Sequence, residues 1–117
     1  MRTDEILNPF KKAEALRQAN HIDDVINDMK EDGDLHGSNV SLVWAIDDVP
    51  MGYTHLLKPV LDKHKDTILL RLLSRLKYEL ENDNLGRYTP ELVDALTRAG
   101  LGWPELDVIR KSIHSFR

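Results

Sequence analysis

Between Asp66 and Asn82 the chain reads DTILLRLLSRLKYELEN, and no other stretch constrains its fold as much. At about 100° per residue, Leu69, Leu72, Leu73, Leu76 and Leu80 fall within about 100° of one another, the pattern of an amphipathic α-helix. Ile68 and Leu70 flank that cluster, so the first two turns are apolar nearly all round. A helix of this kind sits at the centre of a fold or in a subunit interface. Asp66 or Thr67 is its candidate cap. Upstream, Leu56, Leu57, Val60 and Leu61 form an apolar lead-in, where Pro59 starts a helix or kinks one.

Helical periodicity extends over most of the rest. Asn8 is an N-cap candidate with Pro9 in the first helical position, which needs no amide hydrogen. From Phe10, the residues Ala13, Leu16, Ala19, Ile22, Val25, Ile26 and Met29 recur at helical spacing. Asn20 is a second cap candidate and would break that pattern at His21. The run Val40–Ile46 is short and apolar; its β-branched residues fit a strand, while Ser38 as a cap fits a helix. A lone strand has no evident partner, so helix is the expectation. Thr89-Pro90-Glu91 signals a helix start, carrying Leu92, Val93, Leu96 and Ala99 to a stop at Gly100. After the turn Leu101-Gly102-Trp103, a last helix from Pro104 buries Leu106, Ile109, Ile113 and Phe116. The expected fold is therefore all-α: residues 1–117 as a single compact bundle of four to six helices, with a short strand near 40–46 as the variant, and Leu69–Leu80 as its centre.

Composition then removes function classes. No cysteine is present among the 117 residues, which excludes disulfides, thiolate metal sites and a cysteine nucleophile. A net charge of −4 argues against affinity built on coating phosphates. No apolar run approaches the roughly 20 residues of a membrane span, and MRTDEILNPF lacks the layout of a secretory signal. A cytoplasmic protein without a membrane partner is expected. Residues 1–34 hold five basic and nine acidic groups, whereas 53–88 hold seven basic and five acidic. Such polarity suits contact between parts of unlike charge.

Motifs for chemistry are few. Asp28, Asp32, Gly33 and Leu35 approximate a calcium loop, but Lys30 and Asn39 stand where ligands are required. His21, Asp24 and Asp28 share a helix face and could begin a metal site, with Asp47, Asp48, His55 or His64 completing it. No paired-histidine zinc motif, nucleophile elbow or Gly-rich phosphate loop occurs. Residues 89–117 resemble the layout of a helix-turn-helix through Ala95, Gly100, Leu106 and Ile109, with Arg110, Lys111, His114 and Arg117 available to phosphates. However, Gly100 follows Ala95 at five residues, Pro104 opens the second helix, and Glu105 and Asp107 would repel DNA.

The expectation is thus a protein that is not an enzyme and needs no cofactor or metal. It acts as a regulator, adaptor or inhibitor by binding another protein. A helix-turn-helix DNA-binding regulator is the first alternative and a small metal-dependent enzyme the second. Arg71, Arg75 and Tyr78 form a stripe opposite the leucine face, so they are the expected partner-binding residues, facing an acidic protein surface. The breadth of the apolar face predicts a homodimer through Ile68, Leu70 and Leu73.

Overall fold

The computed structural model describes residues 3–31 and 33–116. Among these residues the chain is all-α, with six α-helices, a short 3-10 helix and no strand. In chain order these are α1 (Thr3–Met29), α2 (Leu35–Asp47), the 3-10 helix (Thr54–Leu57), α3 (Lys58–Lys63), α4 (Lys65–Glu81), α5 (Tyr88–Arg98) and α6 (Pro104–Phe116).

Residues 40–46 are helix. Asp34 rather than Ser38 caps α2, its carboxylate accepting from the Gly37 amide at 2.9 Å. Ser38 and Asn39 lie buried inside the helix instead. The helix α1 starts at Thr3 and runs unbroken past His21, so neither Asn8 nor Asn20 caps it, and Pro9 sits inside the helix without an amide hydrogen to give. At the other end of the chain, α5 begins at Tyr88 and the Thr89 hydroxyl turns inward rather than capping. Pro59 does open a helix, α3. The cap position of α4 is His64, not Asp66 or Thr67.

One apolar core joins all of these elements. It draws Ile22, Ile26 and Met29 from α1, Leu42, Val43 and Ile46 from α2, and Ile68, Leu72 and Leu76 from α4. From the C-terminal corner it takes Leu92, Leu96, Leu106, Ile109 and Ile113, while Phe116 is 37% exposed rather than buried. The enclosed centre is α2, which packs on α1, α4 and α5. Seven of its 13 residues are buried, against six of 17 in α4, so the expected centre shifts to the run that left strand and helix open.

Polar ties fix the frame. Gln18 of α1 donates to the Ala45 carbonyl at 2.9 Å. Trp103, buried in the α5–α6 turn, donates its indole N–H to Asp62 of α3 at 2.9 Å. Asp23 of α1 holds the α3–α4 junction, with Oδ1 2.6 Å from Nε2 of buried His64 and 3.1 Å from Lys63 Nζ. The hydrogen bond to His64, then that to Lys63, pulls the Asp23 carboxyl below its ordinary value of 3.8. A depressed carboxyl stabilises the fold above its unfolded value and loses that contribution as pH falls through the folded one. Asp23→Asn is therefore expected to melt below the wild type near neutral pH, the two converging in melts taken below pH 3.8. A constant gap down through that range would show that the carboxylate charge is not what holds the junction.

Candidate protein-binding surface

The α4 helix does not present the expected stripe. Its buried arc includes Ile68, Leu69, Leu72 and Leu76, but also Arg71 and Glu79. That arc is rotated by roughly 60° from the centre of the leucines, toward the side that carries Arg71, Arg75 and Glu79. Arg71 is 7% exposed and donates to Ser38 Oγ of α2 at 2.9 Å. Arg75 is largely covered, its Nε 3.9 Å from Glu79 and its guanidinium 4.9 Å from the Tyr78 ring centroid. Tyr78 alone of the three is exposed. An acidic partner thus has no continuous basic stripe to meet on α4. The same rotation splits the expected self-association face: Ile68 is buried in the core, while Leu70 and Leu73 point to solvent at 68% and 44% exposure.

The other candidates stay apart. His21, Asp24 and Asp28 are exposed on α1, and Asp32 of the calcium-like loop lies outside the described residues. Among the described residues no three His, Cys, Asp or Glu side chains assemble around a point that could hold a metal ion. At the α5–α6 corner, Arg110 donates to Thr97 Oγ1 at 2.7 Å and pairs with Asp107 at 3.2 Å, so it is turned toward the protein. Glu105 pairs with Lys65 at 3.3 Å. Lys111 and His114 are exposed, and Arg117 lies outside the described residues.

A different surface gathers the interaction-prone side chains. On α2, otherwise buried along Leu42–Ile46, Trp44 is 58% exposed. Tyr88, at the start of α5, meets the edge of Trp44 at 6.4 Å and of His36 at 5.9 Å between ring centroids. The Arg87 guanidinium lies 5.5 Å from the Tyr88 ring centre and is paired with Glu91 at 2.8 Å, a contact that raises its pKa further above the ordinary value. Beside this group, Val43, Asp47, Glu91, Asp94 and Arg98 line a depression of about 320 Å³. The Asp47–Arg98 ion pair, 2.8 Å, separates it from a second depression of about 570 Å³ that includes Ile46, Val49, Met51 and His55. Met51 stands at the rim at 95% exposure. It is held there by a tight turn in which Tyr53 N donates to the Pro50 carbonyl at 3.1 Å, with Gly52 at φ +89° supplying the left-handed position.

Buried Glu79 sets the position of Arg87 and Tyr88. Its Oε1 accepts from the Gly86 amide at 2.6 Å and its Oε2 from the Thr89 hydroxyl at 2.5 Å, so the carboxylate pins the chain on both sides of that pair. Sequence reasoning passed over Trp44 because the run around it is apolar apart from Ser41. One signal was present: Ser41, Trp44 and Asp48 recur at i, i+3 and i+7, which puts the tryptophan on the polar side of a helix. No described helix is long and apolar enough to cross a membrane. No family model, curated protein or solved structure matches this chain.

Proposed function

We propose that this chain is a non-enzymatic regulatory protein of adaptor or inhibitor type that binds another protein through the α2–α5 surface. The observation that carries the reading is Trp44, half out in solvent on a helix otherwise packed into the core and edge-on to Tyr88, whose ring also carries the Arg87 guanidinium. Trp, Tyr and Arg are the residue types that dominate binding energy where a partner excludes water from them. Glu91 holds Arg87 at 2.8 Å, and beyond it Arg98 is paired with Asp47, which suits a polar rim. These charges do not converge on one reacting atom.

The test compares tagged wild type with Trp44→Ala on lysate of the native host, with retained proteins quantified by mass spectrometry. Because Trp44 is exposed, its truncation is expected to leave the melting temperature nearly unchanged. The specifically retained partner is expected to fall at least about tenfold, as for a hot-spot residue. A partner retained equally by both proteins would remove the α2–α5 surface from the reading.

A further inference from the structure

The outward side of α4 carries a pattern that the core does not use. Asp66, Leu70, Leu73 and Lys77 follow one another at spacings of four, three and four residues. At about 100° per residue they fall within about 60° of one another, so they form one line along the helix. Leu70 and Leu73 are 68% and 44% exposed, with exposed Asp66 and Lys77 at either end of them. Alternation of four and three is the spacing of the contact seam between two helices wound around each other. Half-buried Leu80, two turns beyond Leu73, continues the apolar edge.

The symmetry of this line identifies the occupant. Turned end for end, it keeps its spacing and its two leucines and exchanges its acid for its base. A second α4 laid antiparallel, about the midpoint between Arg71 and Leu72, sets Leu70 against Leu73 of the second copy. In that register Asp66 meets Lys77 of the second copy, and a two-fold axis makes every contact twice. Laid parallel, the same faces would bring Asp66 onto Asp66 and Lys77 onto Lys77. Asp66 has no ion pair among the described residues, and Lys77 reaches Glu81 only at 3.9 Å. The other charges of α4 do not compete. Arg71 and Glu79 are buried, Arg75 lies against Glu79 and the Tyr78 ring, and Lys65 pairs with Glu105. Glu81 extends past the start of the second copy's α4, toward Asp62 and Lys63. Those two are of opposite sign, and each is engaged within its own chain.

We infer that a second copy of this chain docks antiparallel on α4 through Leu70 and Leu73, with Asp66 and Lys77 closing each end of a two-fold interface. The inference does not use the α2–α5 surface, and it leaves Ile68 to the core. The experiment is light scattering over a concentration series, on the wild type and on two chains with one reversed charge each, Asp66→Lys and Lys77→Glu. The wild type is expected to approach twice the 13.5 kDa chain mass as concentration rises. Each variant alone should keep wild-type helicity by circular dichroism, since both positions are exposed. Its dimer dissociation constant should rise at least about tenfold, because both ends of the seam then set like charges together. Mixed in equal amounts, the two variants should associate nearly as tightly as the wild type, since each reversed charge then meets its opposite. A wild type that stays monomeric at submillimolar concentration overturns the inference. So does either variant dimerising as tightly as the wild type. Variants that associate no better mixed than alone overturn the antiparallel register.

Discussion

Glu79→Ala is expected to remove about 3 kcal/mol of stability, the cost of stripping one partner from a buried charged network. The substitution deprives the Gly86 amide and the Thr89 hydroxyl of their acceptor and leaves Arg75 without its carboxylate. With domain stabilities near 5–15 kcal/mol, the melting temperature should fall on the order of 10 °C. Glu79→Gln should lie between the two, because the amide oxygen can still accept one of the hydrogen bonds while the charge is gone. Near-ultraviolet circular dichroism should also lose the signal of the Trp44–Tyr88 pair, since Glu79 fixes the chain on both sides of Arg87 and Tyr88. A melting temperature within about 2 °C of wild type would mean that the carboxylate is dispensable, against the usual consequence of emptying such a site.

Asn39→Leu is expected to act in the opposite direction and stabilise the protein by about 2 kcal/mol. Asn39 is 2% exposed, and neither its amide nitrogen nor its amide oxygen has a hydrogen-bond partner among the described residues. A buried amide left so carries its desolvation cost uncompensated, while a leucine, branched at the same carbon, adds apolar burial. Chemical denaturation should show a higher midpoint with an unchanged slope. A lower midpoint instead would show that the amide is hydrogen-bonded in solution. An inward asparagine that weakens the fold is the kind of residue to examine for a role in specifying how α2 seats among its neighbours.

The sequence carried the helices well and their faces less well. Periodicity located α5 and α6 because each buries a single stripe, Leu92 and Leu96 in one and Leu106, Ile109 and Ile113 in the other. It failed on α4 for a physical reason. Arg71 and Glu79 look like solvent residues on a wheel, yet Ser38 and Thr89 on other helices supply their hydrogen bonds and allow burial. No local pattern contains that pairing, because the partners lie 33 and 10 residues away. A helix buried on several sides leaves only a thin polar stripe, here Ser41 and Asp48 on either side of Trp44, and for that reason α2 is ambiguous with a strand. Trp44 and Tyr88 are 44 positions apart in number and come together only when α2 packs on α5. The candidate surface is therefore a tertiary product, legible afterward in single residues but not as a motif.

That separation also governs when the surface can exist. The ion pair at its rim, Asp47 with Arg98, joins residues 51 positions apart. Adjacent helices such as α5 and α6 can associate early, whereas closing α2 onto α5 waits for a long stretch of chain and carries the entropy of a large loop. During synthesis, a nascent chain that has not yet released Arg98 cannot present the Trp44–Tyr88 face in its final form. Any product truncated before α5 leaves Trp44 and the α2 core side chains uncovered together. The partner would then meet only molecules that have finished folding, and unfinished ones would instead show the apolar surface that quality control degrades.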